Sequence, residues 1–188
     1  MLSFLRRSNP HMLIIGMTGV QLGDRILQIG CANGSALAAV AAKSGLSGRT
    51  LAVVADEEAA ARARKGARQQ GVLVDVDVSP PTRLPVEDGS FDLVIVDDSK
   101  GAFAGAPEST QTETLREAFR VLQPGGRCLV ISALPRTGLS ALVGGGSAAP
   151  EFDATGPLES GGFRFVRLLA EREGLRFREG MKPRATAV

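Results

Sequence analysis

Tryptophan and tyrosine are absent from the 188 residues, and histidine occurs once, at His11. One imidazole is too few for a histidine-based metal centre and makes a Ser-His-Asp triad hard to assemble. Without Trp or Tyr there is also little to stack on the bases of a nucleic acid. Cysteine is nearly as scarce. Cys31 and Cys128 cannot make a disulfide framework or a structural zinc site. Each stands in an apolar stretch, as a buried thiol in a reducing compartment would.

An excess of one charge is missing too. The 22 Lys+Arg residues nearly balance 20 Asp+Glu, for a net charge of +2, which gives no footprint for nucleic acid. Long hydrophobic runs are lacking. Residues 1–8 (MLSFLRRS) hold no signal-peptide core. Residues 12–22 are mildly apolar but broken by Gly16, Thr18 and Gly19, short of the roughly 20 apolar residues of a membrane helix. The expectation is a cytoplasmic protein with no membrane span, with a weak membrane-surface role left open for residues 1–7.

Apolar residues make up 44% of the chain, enough for one sizeable core. Residues 1–188 read as a single domain. Residues 1–20 form a short N-terminal extension. Residues 135–161, rich in Gly, Pro, Ser and Ala, form a flexible loop with at most a short helix. From residue 24 onward, strands and helices alternate. Strands are expected at 25–30, 50–55, 72–78, 91–96 and 127–131, each a short apolar run. Helices are expected at 35–43, 57–70 and 110–122. Asp56 and Gly71 flank the second helix as caps. Pro80, Pro81 and Pro85 make 79–88 a loop, and Pro124-Gly125-Gly126 reads as a tight turn. Two period-two runs at 163–169 and 175–178, around Glu173-Gly174, read as a β-hairpin closing one edge. The alternation predicts an α/β fold with a parallel sheet and helices on both faces.

Ligands of open α/β sheets bind beyond the carboxyl ends of the strands. That makes Gly30-Cys31-Ala32-Asn33-Gly34, between the first strand and its helix, the default site. Gly30 and Gly34 let backbone approach a ligand. A dinucleotide fingerprint would need glycines where Ala32 and Ser35 stand, which counts against a nicotinamide-dependent oxidoreductase. Asp56 ends the second strand, where a carboxylate can accept both hydroxyls of an adenosine ribose. It would serve equally as a plain helix cap. Asp97 and Asp98 end the fourth strand. They are weak candidates for positioning or deprotonating a hydroxyl or amine, with Lys100 near enough in sequence to pair with either. Solvated strand-end acids are the plainer reading.

The segment from Leu27 to Gly34 (LQIGCANG) resembles the glycine motif of class I S-adenosylmethionine-dependent methyltransferases. Asp56 falls where that family places its ribose acid. The run from Arg83 to Ile95 resembles the family's approach to its fourth strand, and Arg120 to Gly126 resembles the turn before its fifth. Gly162-Phe163 and Gly180-Met181-Lys182-Pro183 are similar to its closing hairpin.

The resemblance implies a doubly wound, mostly parallel seven-stranded sheet with helices on both faces and a C-terminal antiparallel hairpin, the Rossmann-like methyltransferase fold. It implies S-adenosylmethionine as cofactor, held by Gln28, Gly30, Ala32, Gly34, Asp56, Glu57 and Asp97, and methyl transfer to a small-molecule acceptor. Three positions depart from the family pattern. Gln28 stands for an acid, Ala32 for a glycine, and Pro80 for the aspartate that contacts adenine. These departures keep a second function in view: a non-catalytic member of the fold that acts as a binding or scaffold subunit, with a homodimer or protein partner.

Overall fold

A computed structural model describes residues 11–135 and 152–184. Their strands form one sheet of seven in the order β3-β2-β1-β4-β5-β7-β6. Strands β1 (Arg25–Ile29), β2 (Arg49–Val54), β3 (Asp75–Val78), β4 (Phe91–Asp98) and β5 (Leu122–Ala133) run parallel. Strand β7 (Leu175–Met181) runs antiparallel to β5 and to β6 (Arg164–Arg172), which forms the outer edge. The doubly wound sheet and its closing hairpin are thus as the sequence predicts.

The central strands β1, β2 and β4 are largely apolar because both faces are covered. Ile26, Leu93, Ile95, Leu129 and Phe177 pack with Val40 of α2 (Gly34–Ser44) and with Leu13, Ile14 and Met17 of α1 (Met12–Thr18). Leu37 and the alanines Ala59, Ala60 and Ala63 of α3 (Glu57–Gln70) pack on Ala52 and Val54 of β2. On the other face Leu27, Val94, Val96 and Val130 meet Leu115 and Ala118 of α4 (Glu108–Val121) and Leu158 of α5 (Thr155–Ser160).

Strands β6 and β7 run three residues past their expected ends; four further differences have a local reason. Strand β3 begins at Asp75 rather than residue 72. The amides of Gly71 and Val72 are taken by carbonyls of Arg68 and Ala67, closing the end of α3. Pro124-Gly125-Gly126 is no turn between elements but a bulge inside β5. Phe91 pairs with Leu122 and Leu93 with Arg127, Gly125 has φ +84°, and the bulge is held by backbone bonds to Lys182. The fourth strand runs on through Asp97 and Asp98. Residues 12–18, read as a merely apolar stretch, form α1. The expectations for residues 1–7, and for most of the loop at 135–161, lie outside the described residues.

Two cations fasten the helices to this sheet. Lys182 donates to the carbonyls of Phe119, Arg120 and Leu122 at 2.8, 3.3 and 2.6 Å, closing the exit of α4. Arg127 reaches from β5 to the Thr18 carbonyl at 2.5 Å and to Glu179 at 3.1 Å. Glu179 is buried, 3% exposed, and also meets Arg167 at 2.8 Å. Without Arg127, Glu179 keeps Arg167, but the Thr18 carbonyl loses its charged donor. Arg127→Met is therefore expected to lower the stability of the fold by about 1–3 kcal/mol in urea denaturation. An unchanged midpoint would show that Arg127 does not hold α1.

Candidate functional site

The carboxyl ends of β1, β2 and β4 converge on the loop from Gly30 to Asn33. Gly30 has φ +81°, a left-handed conformation that L side chains rarely adopt, and a Cβ there would stand 3.0 Å from the Asp97 carbonyl. The Gly30 amide donates to the Val53 carbonyl at 2.8 Å, tying the turn to β2. Gln28 is buried beneath it and donates from Nε2 to the Gly30 carbonyl at 3.0 Å. Asn33 caps α2, its Oδ1 accepting from the Ser35 amide at 3.0 Å and the Ser35 hydroxyl at 2.7 Å. His11 joins the same Ser35 hydroxyl at 2.8 Å, which fastens the start of α1 to this corner.

The two glycines of the loop serve different ends. A Cβ on Gly34 would lie 2.0 Å from the Arg62 carbonyl, and one on Gly66 would lie 2.1 Å from the Gly34 carbonyl. Gly34 is small because α2 and α3 touch there. The need for glycine at Gly34 comes from helix packing; at Gly30 it comes from the backbone of the turn.

The paired acids at the tip of β4 also separate. Asp97 turns to the glycine loop. Its Oδ2 accepts from the Ala32 amide at 3.0 Å, and its Oδ1 from the Ser99 amide at 3.3 Å and hydroxyl at 2.7 Å. Asp98 is 1% exposed and accepts from the amides of Phe103 and Ala104 at 2.7 and 3.2 Å. It organises the loop that follows β4. Burial pushes its carboxyl up to about 6, against those two bonds and with a smaller push from Asp97. Burial also raises Cys31 to about 11, with Asp97 adding to it, so the thiol in the glycine loop stays protonated.

Asp56 caps α3, its Oδ1 accepting from the Ala59 amide at 2.7 Å, and the residue is exposed at the end of β2. Glu57 beside it pairs with Arg64 at 3.2 Å. Pro80 is exposed, and its carbonyl accepts from the Arg83 amide at 3.1 Å. Lys100 is exposed on a groove of about 450 Å³ that also includes Ala32, Arg62 and Lys65.

Two cavities meet at Asp97. One, of about 210 Å³, is lined by Gly30, Val53, Val54, Ser79, Pro81, Phe103 and Thr114 among others. The second, of about 150 Å³, is lined by Ile14, Gln28, Asn33, Ala36, Asp97, Ser99, Ile131 and Leu175. Asp98 lines neither. Ser79, Ser99, Phe103 and Thr114 were not legible as site residues. Each is a single common side chain that only the fold brings to the strand ends. Among the described residues no group of three or more His, Cys, Asp or Glu could hold a metal ion.

A sequence model of the methyltransferase domain matches residues 26–126, more than half of the 188. The chain belongs to the methyltransferase-domain family. The matched span of this methyltransferase domain starts in β1 and ends in the β5 bulge, so it carries the glycine loop, Asp56 and both β4 acids.

Among curated proteins, the chain is 28% identical over 120 residues to the ubiquinone/menaquinone biosynthesis C-methyltransferase of Cupriavidus necator, covering 64% of this chain and 47% of that protein. It is 32% identical over 109 residues to an uncharacterised 37.1 kDa protein of a Streptomyces fradiae transposon, covering 57% and 30%. The chain thus spans about half or less of the length of these relatives. Among solved structures, an S-adenosylmethionine-dependent methyltransferase from Aquifex aeolicus superposes with a TM-score of 0.74 at 20% identity, over 92% of this chain and 89% of that one.

The family implies S-adenosylmethionine as cofactor, and the residues present suit it. The larger-volume cavity beside Gly30 is apolar at Val53, Val54, Pro81 and Phe103. Ser79 and Thr114 line it as well, and their hydroxyl oxygens are buried without partners. An apolar slot with a few convergent polar atoms is the usual form of a site for a nucleoside.

Asp98 supplies a pH test of its buried place. Its raised value means the folded state binds the proton more tightly than the unfolded state. Its contribution is complete below the ordinary carboxyl value near 4 and is lost as pH rises through about 6. Relative to Asp98→Asn, the wild type should gain stability as pH falls from 7.5 to 5 in parallel urea melts. Superimposable pH profiles would place the Asp98 carboxyl in water.

Proposed function

We propose that the protein transfers a methyl group from S-adenosylmethionine to a small-molecule acceptor, working as a single domain in the cytoplasm. One observation carries this reading: Asp97 borders both cavities. A bent ligand with an apolar base at one end and a charged amino acid at the other is accommodated across the Gly30 turn. The apolar cavity would take the adenine. Asp56, exposed at the end of β2, would accept the ribose hydroxyls while its other oxygen caps α3. Gln28 and Asn33 would face the amino-acid end, with Gln28 offering hydrogen bonds but no charge.

The chemistry that bound cofactor supplies is an electrophilic methyl group on a sulfonium. Transfer then needs an acceptor atom in line and water kept out. Ile14, Ile131 and Leu175 give the second cavity an apolar wall for that purpose. Asp97 is the side chain best placed to orient an acceptor. The quinone C-methyltransferases among the relatives make an electron-rich aromatic ring the first acceptor class to try. Free, buried cysteines support a reducing compartment, and no described helix is long and apolar enough to cross a membrane. Nucleic acid has no evident place in this reading. A homodimer or protein partner remains compatible with it.

Calorimetric titration with S-adenosylhomocysteine tests the reading. Wild type is expected to bind it. Asp56→Ala and Asp56→Asn should each weaken binding by about 1–3 kcal/mol, the worth of hydrogen bonds to a charged group. Only Asp56→Ala should also cost the cap, about 1 kcal/mol of stability. No heat at millimolar ligand would sink the proposal, and wild-type affinity in both variants would remove Asp56 from the ribose.

A further inference from the structure

Thr114 is 0% exposed on the inner side of α4. A helical threonine usually satisfies its hydroxyl on a carbonyl three or four residues back. Thr114 Oγ1 does not, and has no hydrogen-bond partner. Ser79, just past β3, has a buried Oγ in the same condition. Ser79 and Thr114 come from elements far apart in the chain, yet both residues line one cavity of about 210 Å³. A buried hydroxyl left unpaired is a cost to folding. Two in one largely apolar chamber point to a ligand whose polar edge meets them there.

The chamber has the surfaces for a flat ring. Val53 and Val54 come from β2, Pro81 from the loop after β3, and Phe103 from the loop after β4. Phe103 is steadied by the edge-to-face contact with Phe152, with ring centroids 5.7 Å apart. Pro80 does not line the chamber, and it has neither carboxylate nor N–H to present to a base. Asp97 also borders the chamber, but its carboxylate is engaged by the Ala32 amide and by Ser99. The other polar side chains at the ring are hydroxyls, those of Ser79, Thr110 and Thr114.

We infer that Ser79 and Thr114 read the purine edge of the cofactor through their hydroxyls, and that the pocket accepts a 6-oxo purine as well as a 6-amino purine. This rests on the cofactor reading above. A carboxylate only accepts hydrogen bonds, so it favours the 6-amino group and repels a 6-oxo group. A hydroxyl donates and accepts, and rotates to suit either edge.

The test uses the full chain, with S-adenosylhomocysteine and S-inosylhomocysteine as calorimetric probes. The variants are Thr114→Val, Thr114→Ser and Ser79→Ala, each also melted without ligand. Thr114→Val and Ser79→Ala should each weaken S-adenosylhomocysteine about fivefold, the scale of one neutral hydrogen bond. Thr114→Val should melt higher than wild type without ligand, because the orphaned hydroxyl is gone. Thr114→Ser, which keeps the hydroxyl, should bind within about twofold of wild type. S-inosylhomocysteine should bind wild type within about tenfold of the adenosyl form, since neither edge leaves a polar group unpaired.

Unchanged affinity in Thr114→Val and Ser79→Ala, alongside normal wild-type binding, would overturn the inference and leave the cofactor reading standing. Loss of the inosyl form by more than about a hundredfold would overturn it too, because a site that rejects one edge is built for the other. Failure of wild type to bind either probe would remove the cofactor reading and this inference with it.

Discussion

The open end of the sheet depends on one close contact, where α2 crosses α3 at Gly34 and Gly66. No side chain fits between the two backbones there; a Cβ on either glycine would fall about 2 Å from the other helix. The contact fixes where α2 begins, and so fixes the length and path of the loop from Gly30 to Asn33. With α2 pinned, the Ala32 amide meets the Asp97 carboxylate. The Gly30 turn lies against the Asp97 carbonyl, and the cavities open on either side of that acid. Dense packing of small residues behind a site is what holds its backbone groups steady.

From this base the site divides its labour between two neighbouring acids. Asp98 is consumed by the amides of Phe103 and Ala104. It builds the loop that carries Phe103 over the apolar cavity. Asp97 stays between the cavities and holds the glycine loop. One acid thus shapes the wall and the other marks the junction, although they are adjacent in sequence. The parallel register brings this about. Asp97 and Asp98 extend β4 beyond the last pair it makes with β1, Ile29 with Val96, while still pairing with β5.

Much of this architecture was legible in the residues. Helix α3 spans residues 57–70 as read, because Asp56 and Gly71 cap a run with acids first and bases last. The glycine loop is legible as a turn, but the packing of α2 against α3 at Gly34 is not. That contact depends on Gly66, a partner that no local pattern identifies. Pro124-Gly125-Gly126 has the composition of a turn, yet long-range bonds to Lys182 turn it into a bulge. The adenine side was least legible. Pro80 breaks a familiar pattern, whereas Ser79 and Thr114 are ordinary residues whose lack of partners appears only in three dimensions.

The measurement closest to the central claim is a crystal structure of the protein with S-adenosylhomocysteine. The account predicts adenine in the chamber of Val54, Ser79, Phe103 and Thr114, ribose at Asp56, and the amino-acid end past Asp97 toward Gln28 and Asn33. Ligand bound instead in the groove of Arg62, Lys65 and Lys100, or crystals whose strand ends stay empty at saturating ligand, would contradict it.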